Sequence, residues 1–285
     1  MNATRPTSAG IQATILRSRE IVQIGLGKMA KQRAVICGTA RDCAGGLRRN
    51  IQVIGRLADM FRSASFVIVE NDSIDETKNL LQKWSGSQEG VTLISRNTGT
   101  DTIQQDSGDV NPWFSEHRIS LMAKYRNQYL ERVSANRLEP DFLVIVDLDV
   151  ARISLDGIAH GFGLDIGWDG LCANGMKKGD GGWVYYDTYA YQEYGDNGPQ
   201  SSRQLLVNQR RLARLAAGDE LLRVNSAFGG LALYAYAAVK NSRYGCLPNE
   251  DSVITAHSEH IAFHRQMARQ GFDKIYINPA QIVVY

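Results

Sequence analysis

Four short runs of almost unbroken apolar residues, alternating with helix-like patterns, constrain this chain more than any other feature. They are Ala34-Val35-Ile36-Cys37, Phe66-Val67-Ile68-Val69, Val91-Thr92-Leu93-Ile94 and Phe142-Leu143-Val144-Ile145-Val146. Consecutive apolar residues imply strands buried on both faces, as in a mostly parallel sheet whose crossover helices cover both sides. Helical spacing over residues 50–61 (Ile51, Ile54, Leu57, Phe61), 75–84 (Leu80, Leu81, Trp84) and 115–133 supplies those crossovers. The chain therefore reads as α/β, with a mostly parallel central sheet and helices on both faces. Ligands in such sheets bind beyond the carboxyl ends of the strands.

The remainder is less regular. Residues 1–10 are small and polar and read as a frayed end, and residues 1–33 as a helical extension. Within it, residues 11–32 suggest one helix, broken near Gly25 and Gly27, with a basic side of Arg17, Arg19, Lys28 and Lys31. Such a helix either packs on the domain or holds weakly to anionic lipid as a peripheral membrane contact. Residues 173–203, rich in Gly, Asp and Tyr, read as too polar for a sheet core. Residues 205–215 and 252–270 read as helices, 226–236 and 274–278 as strands. With 32 Lys plus Arg against 30 Asp plus Glu, no polyanion-binding surface dominates and no nucleic-acid partner is expected. No window offers the ~18–20 apolar residues of a membrane span, and the N-terminus lacks a secretory profile. Cys37, Cys43, Cys172 and Cys246 show no zinc-type spacing, so they read as reduced thiols of a cytoplasmic protein, the inner face of the membrane being its only expected lipid contact.

Ile24-Gly25-Leu26-Gly27-Lys28-Met29-Ala30 imitates the glycine turn of dinucleotide-binding folds. That turn needs a helix of about three turns behind it to hold a pyrophosphate. The strand at Ala34 leaves about one turn, and no acid closes that strand. The motif is a decoy.

Asp147-Leu148-Asp149 is the opposite case. An Asp-x-Asp is common by composition, but these carboxylates directly follow the strongest strand, at the ligand edge of the sheet. Carboxylate oxygens suit Mg²⁺ or Mn²⁺, which could bridge a diphosphate and neutralise a leaving group. Glu70-Asn71-Asp72-Ser73-Ile74-Asp75 follows the second strand in the same way. Its Asn and Asp side chains can accept hydrogen bonds from a nucleobase or ribose, and Ser73 or Asp75 can cap the next helix.

Together with Thr39-Ala40-Arg41-Asp42, Arg118, Arg126, Asn127, Trp168-Asp169, Tyr186-Asp187-Thr188-Tyr189-Ala190, Asn225-Ser226-Ala227-Phe228-Gly229-Gly230 and Glu259-His260, these residues resemble a GT-A glycosyltransferase. The set is similar to the fungal capsule-associated α-1,3-mannosyltransferases and their bacterial and viral relatives. The resemblance runs from about Ala34 to Pro279, with Ser258 where the family often carries Cys. It implies a GT-A-type nucleotide-diphospho-sugar transferase domain over residues 34–285, with a nucleotide-sugar half at 34–149 and an acceptor half at 150–285. It implies a GDP- or UDP-sugar donor, GDP-mannose first, a glycan or glycolipid acceptor, and retention of configuration. Thr39, Arg41, Asn71 and Asp72 would line the nucleoside pocket, and Arg118, Arg126 and Asp147 the donor sugar and phosphates. Trp168, Asp169, Tyr186, Tyr189, Phe228 and Gly229 would meet the acceptor. Asp147 and Asp149, with His260 first and His264 second, would hold Mn²⁺ or Mg²⁺. Glu259, Asp187 and Asp251 are the candidate catalytic carboxylates, Glu259 foremost.

Two other readings compete. His257, His260 and His264 would share one face of a helix, which would suit a zinc hydrolase, although His-x-x-x-His without an internal Glu matches metalloprotease helices poorly. The tyrosines between 185 and 194 would suit a non-catalytic sugar-binding module, since aromatic faces stack on sugar rings.

Overall fold

The computed structural model describes residues 8–103, 108–136 and 138–285. The frayed end expected over residues 1–10 falls largely outside them. In chain order the elements are α1 (Ser8–Met29), β1 (Arg33–Ala40), α2 (Ala44–Asp59), β2 (Ser63–Asn71), α3 (Thr77–Ser87), β3 (Val91–Arg96), α4 (Glu116–Ala135) and β4 (Phe142–Val146). Then come β5 (Arg152–Ile153), α5 (Leu155–Gly163), β6 (Gly170–Gly179), β7 (Gly182–Tyr185), β8 (Gln192–Glu193), α6 (Ser202–Leu212), β9 (Leu222–Ser226) and β10 (Leu231–Ala235). The chain ends in α7 (Tyr236–Val239), β11 (Leu247–Pro248), β12 (Ala256–His257), α8 (Glu259–Arg269) and β13 (Ile275–Val284).

The main sheet runs β3-β2-β1-β4-β10-β6-β13-β9-β8. Its first four strands are parallel, with Ile36 level with Phe66 and Val144. β10 enters antiparallel between β4 and β6, and β13 lies parallel to β6. The sheet is thus mixed beyond β4, and both halves of the chain contribute to it. One apolar layer lies on the α4 and α8 side, around Tyr129, Tyr234 and Phe263; the other lies under α2, α3 and α5, around Leu57, Leu81 and Phe162.

Three local readings are corrected. Residues 173–175 of β6 are buried in the middle of the sheet, although the stretch they open looked too polar for it. Asn174 donates there through Nδ2 to the Leu215 and Pro279 carbonyls. The helix expected from residue 252 starts only at Glu259, so His257 stands on β12 and off the helical face. Finally, α1 is unbroken at Gly25 and Gly27 and packs against α5. A Cβ at Gly25 would lie 1.7 Å from the Ala159 carbonyl oxygen, and one at Gly163 would lie 1.9 Å from that of Ile21. Those glycines let two helices touch. No helix among the described residues is long and apolar enough to cross a membrane.

Candidate active site

Direction decides where the site forms. The carboxyl ends of β1, β2, β4, β6 and β13 and the start of β10 meet at one edge of the sheet. A cleft of about 670 Å³ opens there.

Asp147 and Asp149 form its floor. The Asp147 amide donates to the Gly230 carbonyl at 2.9 Å, which fixes the exit from β4. Asp147 Oδ1 accepts from Arg126 Nη2 at 3.3 Å and Oδ2 from the Tyr285 hydroxyl at 2.8 Å. Asn50, buried on α2, donates through Nδ2 to the carbonyls of both Leu148 and Val150 at 2.7 Å, gripping the loop on either side of Asp149. Asp149 itself faces the cleft, reachable by water yet walled by protein. No other described residue donates a hydrogen bond to its carboxylate, and burial, then the charge of Asp147, pushes its pKa up to about 6. An acid pair whose one neighbouring cation, Arg126, bonds Asp147 alone and is shared with Glu259 is the donor chemistry that a hard divalent ion answers. Among the described residues no cluster of three His, Cys, Asp or Glu encloses an ion alone, so substrate oxygens and water would have to complete such a shell.

Behind the floor lies a buried charge network. Arg126 on α4 donates from Nε to Glu259 Oε1 at 2.9 Å, so one guanidinium joins Glu259 to Asp147. Its Nη1 is buried without a partner, and the group lies 5.1 Å from the Phe228 ring centre. Glu259 and His260 open α8, where the Ser258 hydroxyl caps the helix by accepting from the His260 amide. The His260 ring stacks on Phe228 at 4.1 Å, with neither nitrogen partnered. Burial first, and the Arg126 charge second, hold it well below the ordinary imidazole range, so it is neutral. A neutral imidazole with free nitrogens could still accept a metal or a proton. His264 could not: its Nδ1 pairs with the Ser226 hydroxyl and its Nε2 with that of Tyr234, both at 2.8 Å, away from the cleft. His257 faces the Gln200 side chain. The three histidines do not converge, which removes the geometry a zinc hydrolase would need.

The far wall comes from the segment after β7. Asp187 Oδ2 accepts from the Gly229 amide at 3.1 Å and Oδ1 from that of Ala190 at 3.3 Å, while burial pushes its pKa up to about 6. Gly229 reaches this position with φ of +68°, and a Cβ there would lie 2.2 Å from the Ala173 carbonyl oxygen. Tyr186 stacks on Tyr285 at 3.7 Å, and Tyr189 donates its hydroxyl to the Ala256 carbonyl at 2.6 Å. At the other end Thr39, Arg41 and Asn71 line the cleft. Arg41 donates to the Thr100 carbonyl, and Arg118 lies over the Trp113 ring. Asp72 is turned away from the lining. Burial opposes its ionisation, but donors from Thr98 and Gly99 outweigh burial and hold its carboxyl well below the usual range. Its carboxylate organises the loop after β3.

Three other expected residues also lie elsewhere. Trp168 and Asp169 precede β6 and so stand at the opposite edge of the sheet. Trp168 packs on Phe142 and Phe162, and Asp169 accepts from the Lys274 amide. Asp251 is a solvated turn former accepting from the Val253 and Ile254 amides. Conversely, Asn50, Lys177 and Tyr285 belong to the site without any motif to announce them; only the end of a strand and a buried Asn on a helix could have hinted at two of them.

Residues 34–270 match the family described as Cryptococcal mannosyltransferase 1. The chain belongs to that family. That family is one of glycosyltransferases, and the sheet is of the expected α/β class, parallel over β1 to β4 and mixed beyond. No curated protein matches the chain. Among solved structures it is similar to the mannosyltransferase PcManGT from Pyrobaculum calidifontis in complex with GDP-Man and Mn²⁺, with 15% identity, a TM-score of 0.49, and coverage of 98% of this chain and 66% of that one. It is similar to S. aureus TarS 1-349 at 15% identity and a TM-score of 0.47, covering 88% and 60%. The corresponding figures for GalNAc-T7 with UDP, GalNAc and Mn²⁺ are 10%, 0.47, 99% and 53%. The chain thus spans 66% or less of the length of these three structures.

Proposed function

We propose that this member of the mannosyltransferase family moves a sugar, mannose first, from a nucleoside-diphosphate donor to a hydroxyl of a glycan or glycolipid. Asp149, with Asp147 beside it, would hold Mn²⁺ or Mg²⁺. The observation that carries the reading is the Asp149 carboxylate, with no ion pair of its own, beside Asp147 on the floor of the cleft. A divalent cation bound there would neutralise charge gathering on the departing diphosphate. Arg126, through its unpartnered Nη1, and Arg118, at the cleft wall, are the cationic forks for phosphate oxygens. Thr39, Arg41 and Asn71 would bind the nucleoside. Tyr186 would present its ring to sugar C–H surfaces, whereas Phe228 is buried against His260 and Arg126. Of the carboxylates, Glu259 and Asp187 line the cleft. Asp187, with a pKa near 6, is suited to take a proton from an acceptor hydroxyl near neutral pH. Glu259, tied to Arg126, is the alternative carboxylate at the anomeric carbon. Retention of configuration belongs to this proposal on family resemblance alone.

A thermal-shift screen with GDP, UDP, CDP and NAD, each with and without Mn²⁺, tests the reading. One nucleoside diphosphate should raise Tm only with the metal, and NAD should not. Asp149→Ala should keep the fold and lose ~100-fold or more of transfer, the scale of removing a main electrostatic stabiliser. If His260 acts through the same ion, adding His260→Ala should cost little more. Full activity in EDTA would overturn metal dependence. Sugar binding without turnover would leave the binding module as the better description.

A further inference from the structure

Helix α6 carries a face that the proposed chemistry does not use. Its inner side is Leu205, Asn208 and Leu212, all buried. Its outer side is Arg203, Leu206, Val207 and Arg210, continued by Arg214 in the following turn, and all five are exposed. The spacing i, i+3, i+4, i+7, i+11 gathers them into one stripe about 100° wide at 100° per residue. Leu206 and Val207 are 58% and 57% exposed, high for aliphatic residues on a helix that already buries its opposite face. Among the described residues none of the three arginines makes an ion pair, whereas Arg211, off the stripe, is paired with Glu193.

A second element with exposed apolar and basic side chains adjoins the helix. The β6–β7 hairpin packs on α6. Near its tip Trp183, 56% exposed, stands across the ladder from Lys178, which is also exposed. At the base of the hairpin Lys177 lies over the Tyr186 ring at the cleft. The nearby acids, Asp180 at the tip and Asp219 and Glu220 beyond α6, pair with none of these cations.

We propose that this flank, α6 with the tip of the β6–β7 hairpin, lies on an anionic lipid bilayer. The unpaired guanidinium groups run down the centre of the stripe with Leu206 and Val207 on either flank, so the face offers positive charge bordered by apolar side chains, which suits an anionic membrane interface. Long arginines reach the headgroups while Leu206, Val207 and Trp183 enter the acyl boundary. The contact is distinct from α1, whose glycine side is occupied by α5. It does not depend on the donor, the metal or the chemistry.

Vesicle flotation of the full chain tests this, using phosphatidylcholine alone and phosphatidylcholine with 30% phosphatidylglycerol (roughly, a conventional anionic mixture) at low and high salt. Binding is expected only to the anionic vesicles and should weaken as salt rises. Each arginine removed should weaken partitioning roughly fivefold, so R203A/R210A/R214A should lose on the order of 100-fold. L206S/V207S and W183S should each weaken binding to the same vesicles. Because these positions are exposed and outside the cleft, all variants should keep the wild-type melting temperature and transfer to a water-soluble acceptor. Absence of wild-type binding to anionic vesicles, or equal binding by the triple variant, overturns the proposal. Sedimentation showing a wild-type dimer that the triple variant loses, without lipid binding, would instead assign the face to a second copy. The deciding readouts, flotation and sedimentation, stand apart from sugar transfer, so failure here leaves the function untouched.

Discussion

Asn50 shows how much of this site depends on a residue that performs no chemistry. Its amide nitrogen holds the carbonyls of Leu148 and Val150, and the residue between them is Asp149. Asn50→Ala should therefore act in two ways. Stability should fall by about 1–3 kcal/mol, because buried carbonyls lose a donor. The Mn²⁺ concentration needed for half-maximal transfer should rise ~10–100-fold, as for other groups that orient a ligand. A metal titration of the variant checks this; an unchanged Mn²⁺ requirement with a lower Tm would reduce Asn50 to packing. Apart from Arg126 in the middle of α4, most site residues legible in the sequence end, immediately follow or open an element in the chain. Asp147 and Asn71 end strands, and Glu259 opens a helix. Asn50 and Tyr285 were illegible because they reach the site across long sequence separations, Tyr285 meeting an acid 138 residues earlier. Trp168 and Asp169 misled because they flank a strand too, but at the wrong end.

At the scale of elements, β1 to β4 and their helices were legible because sheets covered on both faces demand continuous apolar runs. β6 was not, because its demands are steric. Gly175 has the Gly229 backbone against it, where a Cβ would come within 2.6 Å of the carbonyl oxygen, and Asn174 is buried with amide partners from other elements. The same steric logic separates two glycines that the sequence presents as one motif. In α1, Gly25 touches α5, whereas a Cβ at Gly27 would meet nothing within 4 Å. Gly25→Ala should destabilise the chain by ~1–3 kcal/mol through overpacking. Gly27→Ala should be neutral or stabilise by about 0.5–1 kcal/mol, since alanine loses less backbone freedom in a helix. Melting temperatures of the two variants should therefore move in different directions or by clearly different amounts. Equal effects would mean that α1 does not pack on α5 as described.

For the whole molecule, the buried ionisable groups couple folding to pH in opposing directions. His264, held to about 3, His257, to about 4, and His260, held low as well, stay neutral when folded but gain protons in the unfolded chain below about pH 6.5. Acid therefore favours unfolding through them, and for His264 the cost between pH 6.5 and 4.5 is about 2–3 kcal/mol. Asp149 and Asp187, both raised to about 6, work the other way. Folded, they bind protons between about pH 6 and 4 that the unfolded chain does not, so they favour the folded state more as pH falls and strain it once ionised near neutrality. Three histidines against two carboxyls leave a net loss of stability on acidification. A divalent cation at Asp149 takes away the strain that ionisation causes, and a proton competes with it. Mn²⁺ should accordingly raise Tm clearly at pH 7.5 and little at pH 5, and the fall in Tm from pH 7.5 to 5 should be steeper with Mn²⁺ than with EDTA. Scanning fluorimetry at both pH values with either additive measures all four corners. An Mn²⁺ shift of equal size at both would mean that the ion binds away from the acid pair; in EDTA, a Tm that rises on acidification would mean that the carboxyls, not the histidines, dominate the linkage.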